Sequence, residues 1–257
     1  MHILFYINSL RIRLILTSIL IFLSISLGLI LQNESRTLVV AAASDLAKVG
    51  APLAAAFERS QGGKVTFSFG ASGQLAQQVR QGAPFDVYAP AARLYCETLR
   101  RDGFLEGECR PYALGRVVAW SRNFPLRSLA ELREKGNLRI ALANPRYAPY
   151  GLAAQQALEA TGLWQALQPR LVFADSVSHA FQMAKTGNAD VALVALSLIQ
   201  EEGGNSLAVD PGLYQPIEQT AAVLKSSANQ EAARSFCDFL SGPEAQRILA
   251  AYGFGHP

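Results

Sequence analysis

Two serines, Ser44 and Ser72, each stand where a predicted β-strand hands over to a predicted helix. The first follows the apolar run Leu38-Val39-Val40-Ala41-Ala42-Ala43, and the second follows Val65-Thr66-Phe67-Ser68-Phe69-Gly70-Ala71. The start of a helix leaves several backbone N–H groups without partners, and the helix dipole makes that end positive. A hydroxyl there adds one more donor. Two such junctions on neighbouring parallel strands would form a neutral, donor-lined cradle for an anion. The same serines would also serve as ordinary helix caps. Asp45 has the residue type of a cap as well. Its carboxylate would repel a bound anion, so only its backbone N–H is a candidate contact.

The elements that must position these residues alternate. After residue 36, short apolar runs alternate with helical patterns, the signature of an α/β fold. Strands are predicted at 37–42, 64–69, 86–89, 116–121, 138–142, 170–173, 190–194 and 219–224. A first helix over 45–60 carries Leu46, Val49, Leu53 and Phe57 on one face, and Pro52 should kink it or mark where its main body starts. Further helices fit 73–81, 91–102, 151–161, 177–186, 229–240 and 243–251. Ser128 with Glu131 reads as a capping box for a short helix at 129–135. There is no long linker. That fits a chain crossing twice between two lobes, near 113–118 and 214–221. Lobe one would be 36–113 plus 220–257, and lobe two 114–219.

The chain has 257 residues, half of them hydrophobic, so burying a core is no difficulty. A formal net charge of +3, spread along the chain, excludes a nucleic-acid patch. Arg11 and Arg13 precede a mostly apolar run from Leu14 to Leu31, followed by Gln32-Asn33-Glu34-Ser35. Residues 1–35 therefore read as a secretory signal, or, if retained, as an N-terminal anchor. Either reading puts the bulk of the protein outside the cytoplasmic membrane. Of three cysteines, Cys96 and Cys109 are close enough in sequence for a bridge, leaving Cys237 free and packed on a helix. Their spacing forms no zinc or redox motif. A serine hydrolase would need a base. His2 lies in the leader and His256 in the tail, so only His179 is available, and no Gly-x-Ser-x-Gly elbow is present.

Five stretches, in order, carry a family resemblance: Val40-Ala41-Ala42-Ala43-Ser44; Gly70-Ala71-Ser72-Gly73; Gln81-Gly82-Ala83-Pro84-Phe85-Asp86-Val87; Ala148-Pro149-Tyr150-Gly151; and Gly242-Pro243-Glu244-Ala245 through Tyr252-Gly253-Phe254. On these the chain resembles the periplasmic molybdate-binding proteins of ATP-binding-cassette (ABC) importers, from about residue 37 to 254. The resemblance implies a two-lobed periplasmic binding protein fold of type II. Each lobe would be a mainly parallel sheet flanked by helices, and the lobes would close over one tetrahedral molybdate or tungstate. It implies a non-enzymatic, monomeric receptor that works with a membrane permease, binds no nucleic acid and needs no cofactor. Carried over by position, Ser44 and Ser72 hold the oxyanion through hydroxyls and N–H groups, Asp45 adds its N–H, and Val177 donates only its backbone N–H. Some members place a ligand-binding tyrosine where this chain has Ala195; here Tyr150 stands in the other loop and its hydroxyl is the expected replacement. The anion is gripped through its oxygens, with no direct metal-ligating side chain.

The chemistry agrees with that site. Molybdate is fully deprotonated at neutral pH, so it needs donors and no acceptor, whereas phosphate needs a carboxylate for its proton. Hydrogen bonds to charged groups contribute about 1.5–3 kcal/mol each, so a handful of fixed donors suffices without a buried Arg or Lys. Sulfate also needs only donors, so selection against it must come from cavity size. Another oxyanion such as sulfate is the alternative ligand, and a membrane-tethered oxyanion sensor the alternative role.

Overall fold

The computed structural model describes residues 37–257, which form one compact unit. The expected leader at 1–35 lies outside the described residues. Among those described, no helix is long and apolar enough to cross a membrane.

Ten strands form two five-stranded sheets. The first contains β1 (Leu38–Ala43), β2 (Val65–Gly70), β3 (Val87–Ala89), β4 (Leu105–Gly115) and β10 (Ile217–Leu224), in the order β2-β1-β3-β10-β4. The second contains β5 (Val117–Ser121), β6 (Ile140–Ala143), β7 (Leu171–Ala174), β8 (Val191–Ala195) and β9 (Asn205–Ala208), in the order β7-β6-β8-β5-β9. The two orders are equivalent. In each, three parallel strands joined through helices are extended by one reversed strand, β10 or β5, and then by an edge strand, β4 or β9, paired antiparallel to it. Four of the five strands in each sheet thus run one way, as the resemblance implies, and the single reversed strand makes the sheet mixed. The antiparallel pairings involve β4, β5 and β10, which border the two passages between sheets. The chain leaves the first sheet at Gly115, enters the second at Val117, and returns between Ala208 and Ile217.

The strands β1, β6 and β8 are buried along nearly their whole length, as continuous runs of Ala, Val, Leu and Ile require when helices cover both faces. The covering helices of the first sheet are α1 (Gly50–Gln61), α2 (Ser72–Arg80), α3 (Arg93–Arg101), and, later in the chain, α9 (Gln230–Ser241) and α10 (Pro243–Ala251). The second sheet carries α4 (Glu131–Glu134), α5 (Pro149–Ala160), α6 (Trp164–Leu167), α7 (Val177–Lys185) and α8 (Leu196–Ile199). Phe57, Phe236 and Phe239 meet edge to face between α1 and α9, with Phe57 centroids 5.2 and 5.5 Å from the other two.

Two predicted elements differ. The helix expected over 45–60 is broken into a 3-10 turn, Ser44–Leu46, and α1 proper. Pro52 falls in the first turn of α1, where a missing N–H costs nothing. The predicted capping box at Ser128 does not form. Helix α4 is a single turn, and the Glu131 carboxylate accepts the Arg127 N–H at 3.3 Å instead. Cys96 and Cys109 form a disulfide that ties α3 to β4, and Cys237 is free and buried on α9. Burial pushes the Cys237 thiol up to about 12, so it is packed and inert.

Candidate functional site

Four strand-to-helix junctions meet between the two sheets. They follow β1 and β2 in the first sheet and β6 and β7 in the second, all at the C-terminal ends of parallel strands, where open α/β sheets place their ligand crevices. Ser44, Asp45, Ser72, Tyr150 and Val177, the residues singled out by sequence, all line one narrow cleft. Its remaining wall is Ala43, Gly70, Ala71, Ala91, Ala148 and Pro149, so among the described residues no lysine or arginine lines it.

The two serine hydroxyls are oriented by what they accept. Ser72 Oγ accepts the Ala91 N–H at 3.0 Å, and Ser44 Oγ accepts the Ser178 N–H at 3.3 Å. With a lone pair so engaged, each O–H is left to donate elsewhere. Tyr88 Oη fixes the backbone beneath by donating to the Ser72 carbonyl at 2.7 Å. Of the helix-start N–H groups, those of Gly73, Ser178 and His179 are taken by the Tyr147 carbonyl, Ser44 Oγ and Ser176 Oγ. Those of Ser72, Tyr150 and Val177 stand in the first turns of α2, α5 and α7, where no helical carbonyl can accept them.

Asp45 is fully enclosed. Its Oδ2 accepts from Gln219 Nε2 at 2.7 Å, and its carbonyl accepts from Ser197 Oγ, also at 2.7 Å. Its Oδ1 has no partner. Desolvation pushes the carboxyl up to about 7, against the weaker opposing effect of nearby Tyr150, Gln219 and the backbone N–H groups of Asp45 and Leu46. Tyr150 is also fully buried, and its phenol is held well above its ordinary range, by desolvation first and then by the neighbouring Asp45. The Tyr150 hydroxyl lies beside Asp45 and over Gly115, where even a methyl group would overlap it, and makes no hydrogen bond of normal geometry. The sequence suggests this hydroxyl as the anion donor; in the structure it lies against the crossing strand at Gly115 and has no hydrogen-bond partner, while Tyr150 lines the cleft.

The sequence reading missed Ser197, Gln219 and the N–H of Ser178. Gln219 had a visible signal, a polar residue inside the apolar strand β10, and it is completely buried. Ser197 lies two residues past Ala195, on the junction after β8. His179 is half-exposed on α7, its Nδ1 3.9 Å from Asp175 Oδ2, and lines no part of the cleft. Among the described residues, no group of three or more His, Cys, Asp or Glu could hold a metal ion.

Contacts join the two sheets around the cleft. Besides the Ser44, Asp45 and Gly73 bonds, Lys48 Nζ of the first lobe meets Glu202 Oε1 of the second at 2.6 Å, and Lys185 Nζ meets the same carboxylate at 2.9 Å. These two lysines hold Glu202 below the usual carboxylate range. The conformation is therefore a closed one.

Residues 38–255 match the family model of the bacterial extracellular solute-binding proteins. The chain belongs to that family. It is 36% identical over 240 residues to the molybdate-binding protein ModA of Rhodobacter capsulatus, covering 90% of this chain and 93% of the relative. It is also 36% identical over 223 residues to ModA of Azotobacter vinelandii, covering 84% and 88%. The solved structure of the Azotobacter vinelandii periplasmic molybdate-binding protein superposes with a TM-score of 0.81 at 33% identity, covering 86% of this chain and 99% of that one. A sulfate-binding protein of Mycobacterium tuberculosis shares the fold at a TM-score of 0.72 and 19% identity, covering 85% of this chain and 86% of that one. Architecture alone thus does not separate one oxyanion from another.

Proposed function

We propose that this protein is an extracytoplasmic receptor that closes over one molybdate or tungstate dianion and hands it to an ABC importer. One observation carries the reading: both serine hydroxyls at the strand ends accept a backbone N–H, which frees their protons for a ligand that only accepts. Ser44 and Ser72 supply O–H donors, and Ser72, Tyr150 and Val177 supply N–H donors from helix starts. Among the described residues no cation lines the cleft, so the ligand's charge is met by oriented dipoles. A fully deprotonated oxyanion suits this lining. Phosphate, which carries a proton at neutral pH, would need an acceptor, and of the one carboxyl at hand Oδ2 is engaged by Gln219 and only Oδ1 is open, which makes phosphate the discriminating competitor. The relatives named for molybdate support that oxyanion over sulfate. The protein acts alone on its ligand, as a monomer without cofactor, and its partner is a membrane permease.

Titration calorimetry of the purified protein with molybdate, tungstate, sulfate and phosphate tests the assignment. Tight binding of molybdate with little or none of phosphate is expected. Preference for sulfate would favour the alternative oxyanion, and equal binding of phosphate would remove the donor-only site.

A further inference from the structure

We propose that anion capture is coupled to uptake of one proton by the Asp45 carboxyl, which is neutral when the lobes are closed over the ligand. The inference rests on the proposed oxyanion function and concerns the same cleft.

The geometry is that of a carboxyl with no cation to balance it. Asp45 follows Ser44, whose hydroxyl grips the oxygens of the anion, so an ionised Asp45 would set a buried negative charge beside a dianion. The groups around it are neutral. Gln219 comes from β10, Tyr112 from β4, Tyr150 from α5, and Ser197 from α8. Tyr214 and Cys237 are the titratable groups next in line, facing Tyr150 and Tyr112, and neither is positive at neutral pH. Lys48, three residues on, is engaged by Glu202. Four polar oxygens in this region lack partners: Asp45 Oδ1, Tyr112 Oη, Tyr150 Oη and Gln219 Oε1. A proton on Oδ1 would turn Asp45 from a second charge into a donor in a place rich in acceptors.

Closure creates this environment. Tyr150 and Ser197 belong to the second lobe, while Asp45 belongs to the first, so opening removes two of its covering groups and admits water. The carboxyl is then an ordinary acid when open and a reluctant one when closed, which its upward shift supports. Ligand binding, which selects the closed form, must therefore draw a proton from solvent, and rising pH must oppose binding.

Calorimetry with molybdate at about pH 6.5, in two buffers of different ionisation enthalpy, measures the proton directly, and the expected uptake is about 0.5–1 per anion. Affinity should fall roughly tenfold between about pH 6 and pH 8, where molybdate itself does not change charge. Asp45→Asn should abolish both effects while still binding molybdate. His179 is the competing proton acceptor near α7. Uptake that persists in Asp45→Asn and vanishes in His179→Gln overturns the proposal. So does molybdate binding by the wild type without uptake or pH dependence, a result that leaves the oxyanion function standing. Absence of any molybdate binding would remove the function, and the coupling with it.

Discussion

Ser44 and Ser72 look alike in sequence, yet the structure gives their hydroxyls different companions, so removing them should have different consequences. Ser72 Oγ accepts the N–H of Ala91, a residue of the same lobe. Ser72→Ala leaves that buried N–H unpaired whether the lobes are open or closed, at a cost of about 1–3 kcal/mol. At about 2–4 °C per kcal/mol for a chain of this size, the ligand-free melting temperature should drop by roughly 2–12 °C. The lost donor to the anion adds about 1.5–3 kcal/mol to binding, a roughly 10- to 150-fold loss of affinity. Ser44 Oγ accepts from Ser178, across the cleft. Ser44→Ala orphans that N–H only on closure, so its cost of about 1 kcal/mol falls on binding and not on the open protein. Affinity should then fall by roughly 2.5–4 kcal/mol, about 70- to 900-fold, with little change in ligand-free stability. Thermal denaturation without anion and calorimetry with molybdate separate the two. Equal melting shifts and equal affinity losses would refute the partition. Unchanged affinity in both variants would show that the cradle is not there.

Gly73 lies where the lobes touch, and a Cβ there would sit 2.7 Å from Tyr147 Cβ and 3.1 Å from Tyr147 Cα. Gly73→Ala should therefore obstruct closure, weakening molybdate binding at least tenfold by calorimetry while the ligand-free melting curve stays in place. Replacing Cys96 and Cys109 by alanine opens a loop with a sequence separation of 13, which should lower unfolding free energy by about 3 kcal/mol in denaturant titration. Asp45 binds its proton more tightly in the closed fold than in the unfolded chain, so its contribution to stability is greatest at low pH. It should decline as pH rises from about 4 through about 7, by on the order of 4 kcal/mol, and level off above. Because opening exposes the carboxyl, the urea titrations are run with saturating molybdate, where the closed form prevails, and a flat difference between wild type and Asp45→Asn over that window would contradict the burial argument.

Ser44 and Ser72 were readable because strand ends and helix starts leave strong local signals, an apolar run, a small hydroxyl, then a helical period, whereas the roles of Asp45, Tyr150 and Val177 were implied only by the family resemblance. All five line one cleft. Edge strands were not readable. Strand β4 contains Glu106, Gly107, Glu108, Arg110 and Pro111, a composition that reads as loop, and it is tolerated because β4 is the sheet's last strand, bridged on its outer side only where Leu114 meets Gly255. Strand β9, Asn205–Ala208, is likewise a short edge. The direction of the Tyr150 side chain was hidden for another reason. It depends on Gly115, 35 positions earlier, being small enough to let the ring lie over the crossing strand. The role of Gln219 was equally non-local, since its partner Asp45 is 174 residues away.

The equivalence of the two strand orders has a consequence for the ligand. Each sheet offers the cleft the ends of its outermost and second parallel strands, so a tetrahedral ion is grasped by two similar pairs of fingers from opposite sides. Any rotation that merely permutes the ion's corners yields the same complex. An arriving ion thus has many equivalent ways of fitting, and the search over orientations between encounter and capture is shortened. An ion with one corner marked by a proton or a substituent loses that advantage, because only some of its orientations keep the marked corner away from a donor.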